Sequence, residues 1–157
     1  MSHFLYDESF ISAALAAVTK AKKTIYISTF KLEITTKKRG EKLFNFFDIL
    51  GKKAADGVRV CILTNKPGNR GHIPDTNAYA LRYMRPGKIQ IRFLPNDRVV
   101  HAKLLIVDGQ CALFGSHNLS VRSCHNNFEL SFFLDDKTTL EYVTTIFNAI
   151  WATGKET

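Results

Sequence analysis

An α/β/α sandwich built on a central mixed β-sheet is the fold class the sequence predicts, on three observations. From Asp7 to Leu94, segments with helical spacing alternate with short runs of β-branched and aromatic residues. Asp108-Gly109 joins two apolar runs, a hairpin signal that puts an antiparallel pair into an otherwise parallel sheet. A closing segment repeats large apolar residues at helical spacing, enough to cover a sheet face. At 157 residues the chain fits one domain, 1–157, and a domain of that size buries roughly 68–70% of its unfolded surface.

The elements follow in order. Asp7 to Lys22 places Phe10, Ile11, Ala14, Leu15 and Val18 on one helix face, with Asp7 or Ser9 as N-cap. "TIYISTF" (Thr24 to Phe30) is a strand, and a polar loop leads to a helix from Glu41 that ends near Gly57. "VRVCILT" (Val58 to Thr64) is the next strand, so the unit is βαβ and the pair parallel. The loop "NKPGNRGHIPD" precedes a helix from Thr76 to Arg85, stopped by Pro86-Gly87, and the strand "KIQIRFL" follows. Strands Val99 to Val107 and Cys111 to Phe114 form the hairpin, and "FELSFFL" (Phe128 to Leu134) comes next. The last helix, Lys137 to Ala152, carries Leu140, Val143, Ile146, Phe147, Ile150 and Trp151 as a core stripe.

Composition narrows the function classes. Lys plus Arg number 22 against 14 acidic residues, a net charge of +8, which favours an anionic partner. Basic residues gather in loops, at Lys31, at Lys37-Lys38-Arg39, and at Lys66 and Arg70. Without a basic amphipathic helix bearing exposed aromatics, this pattern points to nucleic acid rather than to a stable membrane association. Cys61, Cys111 and Cys124 are odd in number and lack C-x-x-C spacing, so a reducing compartment and a cytoplasmic location are expected. The N-terminus has no signal-peptide pattern, and no stretch reaches the ~20 apolar residues of a membrane span. His3, His72, His101, His117 and His125 show no metal-ligand spacing, so neither a metal nor a cofactor is expected.

The chemistry concentrates in "VVHAKLLIVDGQCALFGSHN" (Val99 to Asn118). Residues two apart on a strand share a face, so His101 and Lys103 project together, with Cα atoms roughly 6–7 Å apart. An imidazole beside an ammonium on a strand made for burial suits an anion, and a phosphate fits. The lysine neutralises phosphoryl oxygens, and a ring nitrogen attacks phosphorus. The antiparallel partner strand delivers Ser116 and Asn118 near the same end as neutral donors. A nucleophilic imidazole also needs an acceptor to set its tautomer, and Glu129 is the only carboxylate between Asp108 and Asp135.

His101-x-Lys103-x4-Asp108, Gly115-Ser116-x-Asn118 and Asn127-x-Glu129 resemble, in order, the H-x-K-x4-D, G-S-x-N and N-x-E elements of the phospholipase D superfamily. One such set in a short chain is most similar to the superfamily's small bacterial endonucleases. The resemblance implies a phospholipase D-like fold, with His101 forming a phosphohistidine. It implies that Lys103 and Asn118, assisted by Ser116, hold the phosphate, and that Glu129 orients the imidazole. Asp108 enters the catalytic set by the motif alone, since an Asp-Gly turn also needs Asp for local reasons. His117, at the variable position, reads as an idle loop residue, with a pocket hydrogen bond as the alternative.

The expected function is therefore a metal-independent nuclease acting on DNA or RNA. The alternatives are a phospholipase D-type lipid hydrolase or phosphatidyltransferase, and a nucleic-acid-binding module without catalysis. One His101 cannot be nucleophile and proton donor at once, so a homodimer sharing one site is expected, against a monomer in which His117 or His125 supplies the acid.

Overall fold

The computed structural model describes residues 2–68, 75–96 and 98–156. The elements are β1 (His3–Tyr6), α1 (Glu8–Lys20), β2 (Thr24–Ser28), α2 (Glu41–Ala55), β3 (Arg59–Thr64), α3 (Asp75–Met84), β4 (Gln90–Phe93), β5 (Lys103–Val107), β6 (Cys111–Gly115), α4 (Val121–His125), β7 (Leu130–Leu134), α5 (Lys137–Thr153) and β8 (Lys155–Glu156). All eight strands join one mixed sheet in the order β1-β7-β6-β5-β2-β3-β4-β8. β2, β3 and β4 run parallel, and β5 pairs antiparallel with both β2 and β6. The expected sandwich and hairpin are both present.

Alternation along the strands sorts side chains into two cores. Ile25 and Ile27 of β2, with Val60 and Ile62 of β3, meet Phe10, Ile11, Phe46, Phe47 and Leu50 of α1 and α2. α3 and α4 add Leu81, Met84 and Cys124 to that core. On the opposite face Tyr26, Leu63, Ile106 and Leu134 pack against Leu140, Phe147 and Trp151 of α5. Four helices cover one face and one helix covers the other. Truncating a residue such as Phe46, fully buried, to Ala would cost about 3–5 kcal/mol in transfer and cavity terms.

Several boundaries differ from the sequence expectation. α1 begins at Glu8, and Asp7 makes no capping bond; it sits at φ 45°, while Ser9 Oγ accepts from Tyr6 N at 2.8 Å. β5 begins at Lys103 rather than Val99, because side chains hold the preceding backbone instead of a sheet ladder. Asn65 Oδ1 accepts from Val100 N at 2.8 Å, Asn65 Nδ2 donates to Val100 O at 2.9 Å, and Ser28 Oγ donates to Ala102 O at 3.1 Å. The loop run Lys37-Lys38-Arg39 tightens into a 3-10 turn, Lys38–Gly40, packed so closely that a Cβ at Gly40 would meet Thr35 and Val121. β1, α4 and β8 were not anticipated.

Candidate active site

Because β5 runs antiparallel to β2, its first residue lies beside the C-terminal end of the parallel strands. There the structure brings His101 and Lys103 together on an accessible rim. Lys103 Nζ lies 3.1 Å from His101 Nδ1 and 3.5 Å from Nε2, and donates to the His101 carbonyl at 2.6 Å. An ammonium carries only donors, so in the shorter of these contacts Nδ1 is the acceptor. The Phe30 ring backs both groups, 5.4 Å from the imidazole and 5.9 Å from the ammonium. Burial pulls the Lys103 pKa below the ordinary lysine value, and the charge of Glu129 opposes that.

Gly115 faces Lys103 across the hairpin, and a Cβ there would lie 2.5 Å from Leu130 O and Ser131 Cα, so close pairing of β6 with β7 demands glycine. This delivers Ser116 to the same sheet end, where its Oγ accepts from Leu130 N at 3.0 Å. Asn118 Oδ1 accepts from Lys31 N at 3.2 Å and from Thr29 Oγ1 at 3.5 Å, which fixes the amide's orientation. Its Nδ2 makes no hydrogen bond among the described residues and is available to an anion.

Glu129 Oε1 accepts from Ser123 Oγ at 2.8 Å and from Asn127 Nδ2 at 2.9 Å. Burial pushes its carboxyl up, but hydrogen bonds from Ser116, Asn127 and Ser123, with His117 nearby, outweigh it and hold the group below the usual carboxylate value. Glu129 therefore stays ionised near neutral pH. Among the described residues it makes no hydrogen bond to His101, and its link to the pair is through charge on Lys103.

Two assignments need correction. Asp108 lies at the other end of β5, seven residues and on the order of 20 Å from His101. Its carboxylate accepts from Lys22 N at 2.7 Å and from Lys23 N and Thr24 N at 2.8 Å, so it clamps the start of β2 and lies apart from the His101–Lys103 pair. His117 is no idle loop residue. It is 1% exposed, stacks on Phe10 at 4.4 Å, and contacts Ser131 Oγ at 2.7 Å and the Asp7 carbonyl at 3.2 Å. With both nitrogens engaged and burial lowering its pKa, it is poorly placed to supply a proton to substrate.

Of the basic loop residues, Lys31 lies beside Asn118 and pairs with Glu33 at 3.7 Å. Lys37, Lys38 and Arg39 are exposed at the same sheet end, ahead of α2. Lys66 lines a separate groove, while Arg70 and His72 lie outside the described residues. Sequence reasoning missed Asn65, Asn77 and Ser123, and it quoted Asn127 only as part of the Asn127-x-Glu129 element, without a role. Asn77 is fully buried, accepting from Leu32 N at 2.9 Å and donating to Phe30 O at 3.2 Å. The one local signal was a polar Thr64-Asn65 pair closing an apolar strand.

A family model described as "Cardiolipin synthase, PLD-like domain" matches residues 14–151. A cardiolipin synthase of Listeria monocytogenes is 34% identical over 122 residues, covering 76% of this chain and 23% of the relative. One of Oceanobacillus iheyensis is 39% identical over 125 residues, covering 74% and 24%. The chain thus spans about a quarter of the length of the curated relatives it matches. Among solved structures, the phospholipase D family member Nuc of Salmonella typhimurium superposes with a TM-score of 0.79 at 20% identity, covering 100% of this chain and 99% of Nuc. Phosphatidylserine synthase of Haemophilus influenzae gives 0.77 at 16% identity, covering 99% of this chain and 39% of that one. Those two likenesses concern the fold. The family model and the curated relatives show that the chain belongs to the phospholipase D-like family.

Proposed function

We propose that the protein is a metal-independent phosphodiesterase that cleaves nucleic acid through a phosphohistidine, working as a homodimer with one shared site. The observation that carries this reading is the ammonium of Lys103 held 3.1 Å from the His101 ring on an accessible rim. A substrate phosphate would draw the Lys103 donors onto its oxygens, release Nδ1, and accept the Asn118 amide and the Ser116 hydroxyl. The lone pair of one His101 attacks phosphorus. The phosphorus–oxygen bond to the leaving alcohol breaks, and that oxygen takes a proton from the second His101. Water then attacks the phosphohistidine, gives its proton to the second imidazole, and the phosphorus–nitrogen bond breaks. Lys103 supplies the positive charge that a metal would otherwise bring, and a cation beside it would be repelled. The excess of basic side chains at this sheet end supports a polyanionic substrate, and the cysteines, all free thiols, suit the cytoplasm.

A second reading, a lipid phosphodiesterase or phosphatidyltransferase, is favoured by the cardiolipin synthase relatives. Among the described residues no helix is long and apolar enough to cross a membrane. Labelled DNA, RNA and phosphatidylglycerol vesicles, incubated side by side with wild-type protein and His101→Ala, discriminate. Nucleic-acid cleavage that survives excess chelator and is lost in the variant is expected. Turnover of vesicles alone, or nucleic-acid cleavage abolished by chelator and restored by Mg²⁺, would overturn the reading.

A further inference from the structure

Beyond the hairpin, a groove of about 610 Å³ runs between α3 and the β4–β8 edge. Lys66, Arg82, Arg85 and Lys155 line it above a floor that includes Leu81 and Phe93. The four cations come from three stretches of the chain. Lys66 follows the end of β3, Arg82 and Arg85 stand three apart at the end of α3, and Lys155 pairs with Phe93 in the β8–β4 register, so it shares Phe93's face. Among the described residues none of the four has an ion-pair partner, and Glu156, the acidic residue at the rim, is held by Arg92 at 3.3 Å. The groove is tied to the catalytic end of the sheet. Lys66 is the next residue after Asn65, whose side chain grips Val100 immediately before His101.

We propose that this groove is a second binding site for the substrate strand, taking the phosphates and a base of single-stranded nucleic acid a few nucleotides from the bond being cut. The inference rests on the nuclease reading and extends it. Charges spread over three elements fit the repeating phosphates of a chain, whereas one lipid headgroup would need them to converge. An aromatic and aliphatic floor between them offers a base a surface on which to stack. From β5, the sheet leads through β2 and β3 to β4 in three strand spacings, about 14 Å, so a strand entering at His101 would cross the basic loops and reach the groove.

The test compares Arg82→Ala/Arg85→Ala with a charge-matched control, Lys52→Ala/Lys137→Ala. The control residues are exposed and lie at the Asp108 end of the sheet, after α2 descends from the site and after β7 ends. Steady-state kinetics on a single-stranded oligonucleotide and its salt dependence are measured for both. The groove pair should raise KM roughly tenfold with kcat little changed, and should flatten the slope of log affinity against log salt by about 1.4 for two lost contacts. The control should do neither. Equal weakening by both pairs would mean that only net charge matters and would overturn the groove. Wild-type cleavage of the oligonucleotide with no effect from Arg82 and Arg85 would overturn it while leaving the nuclease reading intact. Absence of any oligonucleotide binding, with vesicle turnover, would remove both.

Discussion

At Lys103 two physical effects oppose each other: burial disfavours the ammonium, Glu129 favours it, and burial prevails. The ammonium is the form that can neutralise phosphoryl oxygens, so activity must fall as pH rises through the lowered pKa. The alkaline limb of the pH–rate profile should therefore lie below the ordinary lysine range. In Lys103→Arg the guanidinium keeps its charge, and that limb should move upward even though the rate drops. An unmoved limb would mean that another group sets it. Lys103→Ala should lose about 10²–10³-fold in kcat, the usual cost of removing a charge-stabilising donor, and His101→Ala should lose at least as much. The variant pair thus separates the ammonium's charge from its mere presence.

At the scale of elements, the hairpin was legible because its signals are local: an Asp-Gly turn, two apolar runs, and polar residues at both open ends. His101, Lys103, Ser116, Asn118 and Glu129 could be gathered from sequence because one hairpin and the following strand carry them all. Asn65 and Asn77 were not legible, since they act on backbone 35 and 45 residues away, and the polar Thr64-Asn65 pair closing an apolar strand does not name that distant partner. β1 and β8 lacked an intrinsic signal, and each exists only through a neighbour, β7 or β4. His117 looked idle because its partners, Phe10, Asp7 and Ser131, come from distant segments. Asp108 shows how a motif residue can serve an element. Burial raises its carboxyl pKa, but backbone donors at Thr24, Lys22 and Lys23 bring it below the usual value. A depressed folded pKa means stability present above the unfolded pKa and lost as pH falls through the folded one. Asp108→Ala should cost about 2 kcal/mol near neutral pH, from lost charge-assisted hydrogen bonds, with kcat per folded molecule unchanged. In denaturant titrations the gap from wild type should narrow as pH drops below the carboxylate range. A gap independent of pH would assign the loss to the turn backbone, where Asp108 holds φ 54°.

The whole molecule is unevenly covered, and the bare region adjoins the site. α5 packs over Tyr26, Ile106 and Leu134, but the same sheet face continues past it with Phe4, Phe114, Leu130 and Phe132. Phe4 is 65% exposed and Leu130 46%, while Phe128, ahead of β7, is 86% exposed. A contiguous apolar surface of this kind suits an interface, as the proposed homodimer requires. Its neighbours in sequence are the site residues themselves, since Phe114 precedes Gly115-Ser116 and Leu130 follows Glu129. Under the proposed mechanism the site of one chain is incomplete. One imidazole cannot attack and protonate in the same step, and His117 is buried with both nitrogens engaged, so it cannot fill the gap. His125 Nδ1 contacts Glu8 Oε1 at 2.9 Å, which ties that imidazole to the start of α1. A second copy related by a two-fold axis would cover the apolar strip and bring a second His101 to the same phosphate. Mixing tests this directly: wild-type chains are exchanged with His101→Ala chains, and activity is followed at fixed total protein. If both imidazoles are required, activity falls as the square of the wild-type fraction, because only wild-type pairs carry two. A linear fall, with exchange confirmed by differently labelled chains, would mean that each chain works alone. Phe114→Asp provides the complementary arm, since a charge buried against its two-fold mate should split the dimer and abolish activity at low protein concentration, with recovery as concentration rises. Full activity of a monomeric Phe114→Asp protein would end the shared-site mechanism and would oblige a residue of the same chain to provide the proton.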